Sequence, residues 1–235
     1  MPDPVTAATI PEYRYEVPAD ASDILLIRHG ESRAAEPGEA FPFVDGHGDP
    51  ELHPTVGQAQ AQRIAERLAH EPIAAIYVSN LRRTGQTAEP LARRLGLSPV
   101  VDPDLRESHL GEWEGYVWRI KIAEGDPLAM RVIDEQRWDI MPGAESEAGF
   151  AARVRGSVTR IAERHRGELV AIFTHGGVIG QAVGDAAGAK PYPFNASSNA
   201  SISQIVVSDD RWKLRRFNDT THLTPGFTIA ASPVS

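Results

Sequence analysis

Two short stretches constrain this chain more than any other feature. "ILLIRHGES", Ile24 to Ser32, and "LVAIFTHGG", Leu169 to Gly177, share one design. Each is an uninterrupted apolar run that gives way to one polar residue, a histidine and a glycine. A run with no polar face reads as a strand buried on both sides, and such strands belong to parallel sheets covered by helices. In those sheets the loops at the carboxyl ends of the strands form the ligand crevice. His29 and His175 are therefore expected on one rim.

The rest of the chain alternates in the same sense. Gly57–His70 has helical spacing, with Ala61, Ile64, Ala65 and Leu68 on one face. "IAAIYVSN", Ile73 to Asn80, reads as a buried strand, and Leu81–Leu95 as a helix with a kink or restart at Pro90. "LSPVVD" is a short strand. Ser146–Arg166 is the clearest helix, with Phe150, Val154, Val158 and Ile161 on one stripe. A helix over about Val178–Ala187 follows the second histidine. "SISQIVVSDDRWKLRRF" predicts a hairpin turning at Asp209–Asp210, which would add antiparallel strands at an edge. Residues 33–55 read as a long polar loop, and 112–145 as a mixed region carrying Trp113, Trp118 and Trp138 as core or lid packing.

These elements predict an α/β protein: a three-layer α/β/α sandwich with a mainly parallel central sheet of about six strands. The expected division is a proline-bearing N-terminal arm over 1–22, one α/β domain over 23–223 and a C-terminal tail over 224–235.

Charge and composition narrow the function. With 24 Lys+Arg against 32 Asp+Glu the net charge is −8, which argues against nucleic acid or an anionic membrane as partner. No apolar run approaches the ~20 residues of a membrane span, and the N-terminus lacks the pattern of a secretory signal. A cytoplasmic location is the default expectation. The absence of cysteine excludes disulfides, thiolate nucleophiles and Cys-ligated zinc.

Four loops at strand ends hold reactive side chains. They carry Arg28 and His29; Arg82 and Arg83; Arg106, Glu107 and His109; and His175. Singly, each has an ordinary reading as a rim or surface residue. Jointly they describe an anion site. Arginines match the fork of phosphate oxygens, glycines let the backbone approach, and helix N-termini behind the loops point N–H groups inward. A neutral imidazole in such a site can attack phosphorus, and a carboxylic acid opposite can protonate the leaving oxygen.

The same blocks resemble the histidine phosphatase superfamily, which includes cofactor-dependent phosphoglycerate mutases and many small phosphatases. "LLIRHGES", "SNLRRTGQTAEPLA", "LRESHLGEWEG", "PGAES" and "FTHGGVI" resemble its blocks in order, across roughly residues 23–223. The resemblance implies His29 as nucleophile, Glu107 as proton donor and His175 as the second histidine. Arg28, Arg83, Ser32 and Gly176 would bind the substrate phosphate. Arg82 is the second choice, because a helix turns it about 100° from Arg83. Asn199 is a further neighbour. His47, His53, His109 and His222 are read as surface or supporting residues.

Two departures stand out. Ala35 occupies a position where the family often has a phosphate-binding asparagine, so Ser32 or a donor from the 33–55 loop would have to compensate. "LHPTVGQAQA" carries His53 and one extra residue relative to the family's block.

The expected activity is that of a metal-independent phosphatase hydrolysing small phosphomonoesters through phosphohistidine, with no cofactor. The alternative is a cofactor-dependent phosphoglycerate mutase, disfavoured by "RESHLG" and "RWDIMPGAES". A phosphate-binding pseudoenzyme is a third reading, disfavoured because His29, Arg28, Arg83, Glu107 and His175 are all present. The expected partner is a small phosphorylated substrate. A homodimer is compatible with the resemblance, though no sequence feature proves it.

Overall fold

The computed structural model describes residues 15–36, 39, 41–209 and 211–224. Its centre is a six-stranded sheet in the order β5–β4–β6–β1–β7–β8. The strands are β1 (Ser22–Arg28), β4 (Ile73–Val78), β5 (Val100–Val101), β6 (Leu169–Thr174), β7 (Ile202–Ser208) and β8 (Arg211–Asp219). β5, β4, β6 and β1 run parallel, while β7 and β8 pair antiparallel. β2 (Phe43–Val44) and β3 (His47–Gly48) form a separate two-stranded ribbon.

The apolar runs explain the layers. Successive side chains of a strand point to opposite faces. Ile24 and Leu26 of β1, with Val170 and Ile172 of β6, pack against α5 (Glu147–Arg164) and α6 (Gly176–Ala187). Leu25 and Ile27, with Ala171 and Phe173, pack against α1 (Val56–Arg67) and α2 (Arg82–Leu95) on the other face. A third cluster joins Trp113 and Trp118 to α3 (Val117–Glu124) and α4 (Pro127–Glu135) through Ala129, Val132 and Met141. No helix among the described residues is long and apolar enough to cross a membrane.

Three regions take a more definite form than the sequence alone conveys. α2 runs unbroken through Pro90 instead of restarting there. Proline removes a single ladder hydrogen bond, and Ala88 and Leu91, both fully buried, hold the helix against the sheet on either side. The 33–55 region is not all loop, because Asp45 and Gly46, both at positive φ, turn β2 into β3. An Asp-Gly pair suits that hairpin geometry. Residues 112–145 resolve into α3, α4 and a short 3₁₀ turn at Gly111–Trp113. Residues 1–14, Asp210 and 225–235, which include most of the expected arm and tail, lie outside the described residues. Tyr15 is described, and its ring lies against Lys213 and Arg215 of β8.

Candidate active site

β1 and β6 are neighbours in register, Arg28 opposite Thr174, so their ends deliver the two histidines together. The His29 N–H donates to the Thr174 carbonyl at 2.9 Å, and the two imidazole centroids lie 5.2 Å apart. The backbone around His29 is fixed from three sides. Its carbonyl accepts from Asn199 Nδ2 and the Ala200 N–H, and the Gly30 N–H donates to Thr87 Oγ1. Asn199 thus holds the loop by its backbone. Gly30 has no room for a side chain, since a Cβ would lie 2.8 Å from the Gly57 carbonyl oxygen.

The ring of His29 is oriented as firmly. Nδ1 lies 2.7 Å from the Gly30 carbonyl oxygen, so Nδ1 carries the proton. Nε2 is left as an acceptor, and Arg83 Nε donates to it at 3.2 Å. Burial and the nearby Arg83 and Arg28 charges push the His29 pKa well below the usual histidine range. His175, fully buried, is held low by burial and by Arg83. Its Nε2 is 2.9 Å from Ser79 Oγ, while its Nδ1 has no hydrogen-bond partner among the described residues.

The arginines come from different elements. Arg28, the last residue of β1, donates Nη1 to the Ser197 carbonyl. Arg83, in the first turn of α2, donates Nη1 to the Gly48 carbonyl at 3.2 Å. Burial lowers both to about 10, which leaves them cationic at neutral pH. Arg82 is tied elsewhere: its Nε and backbone N–H both bond the buried Asp49 carboxylate at 2.8 Å, and it does not line the cleft beside His29. Asp49 lies 4.0 Å from Arg83 as well.

Glu107 stands at the start of α6. Oε2 accepts the Gly177 N–H at 3.0 Å and Oε1 accepts the Ser108 N–H at 2.9 Å. Arg153 of α5 buttresses this loop by donating to the carbonyls of Asp104, Arg106 and Glu107 while paired with Glu145.

A cleft of about 70 Å³ is lined by His29, Ser32, Arg83, Glu107, Glu114 and Arg119, among others, while Arg28 borders the adjoining cavity and His175 is buried behind His29 without lining either. At roughly 10–15 Å³ per water, that is room for a small polar group. Gly176 does not line this cleft. It packs near the Arg28 guanidinium and borders an adjoining cavity that Glu107 also touches.

Some supporting residues differ from expectation. His47 is buried and lines the cleft, edge-on to His109. The hairpin brings it inward, which no local pattern around "DGHGD" announced. His53 Nδ1 accepts the N–H groups of Thr55 and Val56 at the head of α1, and His109 Nδ1 accepts that of Gly111. His222 meets the Ala200 carbonyl. Ser79, Asp49 and Arg119 were not singled out from sequence. Ala35 does not line the cleft, and Arg119, which lines it beside Arg83, comes from α3 and not from the 33–55 loop.

The family model described as "Histidine phosphatase superfamily (branch 1)" matches residues 24–220, a span that contains every strand of the central sheet except the first two residues of β1. The chain belongs to the histidine phosphatase superfamily. It is 34% identical over 209 residues to phosphoglycerate mutase-like protein 4 of Arabidopsis thaliana, covering 87% of this chain and 88% of that one. It is 32% identical over 217 residues to a metal-independent phosphoserine phosphatase of the same plant, covering 89% and 86%. Among solved structures, a mycobacterial glucosyl-3-phosphoglycerate phosphatase superposes with a TM-score of 0.67 at 29% identity, covering 85% of this chain and 100% of that one. The superfamily supports a phosphatase or mutase activity. No cluster among the described residues has the make-up of a metal site.

Proposed function

We propose that the protein is a phosphatase that hydrolyses small phosphomonoesters through a phosphohistidine at His29, without a metal ion. The observation that carries this reading is the state of His29. Its Nδ1 proton is committed to the Gly30 carbonyl, and its Nε2 lone pair is held beside Arg83 at the cleft.

In the first step the Nε2 lone pair forms a bond to phosphorus while the ester P–O bond breaks. The leaving oxygen takes the proton of the Glu107 carboxyl. The ring keeps its Nδ1 proton, and the Gly30 carbonyl stabilises the positive charge that the phosphorylated imidazole acquires. Arg28, Arg83 and His175 Nδ1–H hold the phosphoryl oxygens, the electrostatic contribution that usually dominates phosphoryl transfer. In the second step the Glu107 carboxylate takes a proton from water, the new O–P bond forms and the N–P bond breaks. Ser79 favours the His175 tautomer with its proton on Nδ1, because its hydroxyl can donate to Nε2.

The test is turnover of phosphomonoesters after exhaustive chelation, alongside incubation with 3-phosphoglycerate primed by 2,3-bisphosphoglycerate. Release of inorganic phosphate with little 2-phosphoglycerate is expected. Isomerisation at a kcat/KM of ~10⁴ M⁻¹s⁻¹ or above would identify a mutase, and activity restored solely by added Mg²⁺ or Zn²⁺ would contradict the metal-independent site.

A further inference from the structure

Arg119 is the one arginine of the cleft whose presence the phosphoryl chemistry above does not explain. It projects from α3, lines the cleft with His29, Arg83 and Glu107, and donates Nη2 to Ser32 Oγ at 3.2 Å. A longer contact of 3.4 Å runs from its Nη1 to the Arg33 carbonyl, and the guanidinium lies over the Phe41 ring at 5.4 Å from the centroid. No carboxylate among the described residues comes within ion-pair distance of it. Other arginines behind the site differ: Arg82 is paired with Asp49 and Arg153 with Glu145.

The two carboxylates that line the cleft are already engaged. Glu107 accepts the Gly177 and Ser108 N–H groups, and Glu114 accepts those of Leu110, Gly48 and Gly115. A guanidinium withdrawn from water without a counter-ion is unfavourable unless a ligand supplies one. Burial accordingly holds its pKa below the usual arginine range, with no acidic neighbour offsetting the shift.

Position indicates which group that ligand presents. Arg83 donates directly to His29 Nε2, whereas Arg119 donates to Ser32 Oγ and the Arg33 carbonyl. A cation that lines the cleft without touching the nucleophile is free to meet a part of the substrate other than the transferring phosphoryl group. The planar fork of an arginine matches a carboxylate in two parallel hydrogen bonds. We propose that Arg119, held by Ser32 and Phe41, is a specificity-determining residue that pairs the carboxylate of the substrate. This rests on the phosphatase reading and narrows its substrate class to small phosphomonoesters that also carry a carboxylate.

The experiment compares matched substrates on the full chain: 3-phosphoglycerate against glycerol 3-phosphate, and phosphoserine against phosphoethanolamine. Each pair differs by the carboxylate. Wild type should prefer the carboxylate-bearing member by about ten- to a hundredfold in kcat/KM, the range of a charge-assisted hydrogen bond. Arg119→Ala should collapse that ratio towards unity, and Arg119→Lys should restore part of it. Wild-type ratios near unity would overturn the proposal without any variant. So would a ratio that survives in Arg119→Ala, or an equal loss on both members, which would assign Arg119 to the transferred phosphoryl group. Hydrolysis of p-nitrophenyl phosphate by wild type reports on the phosphatase reading separately. Its absence would remove that reading, and this inference with it.

Discussion

Arg83 donates its Nε–H to His29 Nε2 across 3.2 Å. A donor aimed at that nitrogen requires a lone pair there, so the buried imidazole is neutral and its Nε2 has a fixed orientation. The residue pair links the end of β1 to the first turn of α2, which fixes His29 at the mouth of the crevice.

Both site histidines should accordingly remain uncharged at mildly acidic pH. Burial and the Arg83 charge lower their pKa values in the folded protein, whereas the unfolded chain protonates near 6.5. The unfolded state therefore binds more protons below that value. This contribution to stability is intact above about pH 6.5 and falls as pH drops towards the folded-state pKa values, by up to ~1.4 kcal/mol per pH unit for each histidine. Imidazole NMR resonances of His29 and His175 should show no titration near 6.5. His175→Asn should flatten the pH dependence of unfolding in the acid range. Protonation of either ring near 6.5 would contradict the effect of burial and the arginine charges on these histidines.

Glu107 has a graded test. An alkoxide needs a proton as it leaves, and a nitrophenolate hardly does. In single-turnover experiments Glu107→Gln should slow phosphorylation of His29 by alkyl phosphates by ~10²–10⁴-fold, and by p-nitrophenyl phosphate much less. Equal slowing would mean that Glu107 shapes the pocket without donating a proton. No slowing with either substrate would pass the acid role to a neighbour such as His109 or Glu112.

Gly177 gives a complementary test of the same carboxylate. A Cβ at this position would run into Glu107 Oε1, the end of a flexible side chain. Gly177→Ala should therefore leave the unfolding temperature within a few degrees of wild type while displacing the acid. A misplacement of about 1 Å can cost roughly 10²-fold in rate, and alkyl phosphates should suffer more than p-nitrophenyl phosphate. A variant with wild-type kcat on both substrates would show that the Gly177 N–H does not position Glu107.

The sequence makes the sheet and the histidines readable because both depend on short-range pattern. Ile24–Ile27 and Leu169–Phe173 are apolar throughout, so their burial and their polar ends are visible within nine residues. The antiparallel β7–β8 hairpin was readable for the same reason. Arg119 was not, because its place in the cleft arises from α3 folding over Ser32, 87 positions away. His47 and Asp49 depend on the β2–β3 ribbon, whose Asp45–Gly46 turn is a usable signal that the surrounding prolines and glycines obscured. Pro90 was less decisive than its local propensity: of the kink or restart it predicted, the restart does not occur, because Ala88 and Leu91 hold the helix against the sheet on either side. Ser79 lay within a block resembling the superfamily, but its contact with His175 spans 96 positions and has no local signature.

The central claim is that phosphate passes through His29. It is tested most directly by mixing the protein with ³²P-labelled phosphomonoester, quenching within one turnover and mapping the label. The account predicts label on His29 that is lost in acid, survives alkali and is absent from His29→Ala. Label on a serine, or label retained by His29→Ala, would contradict it.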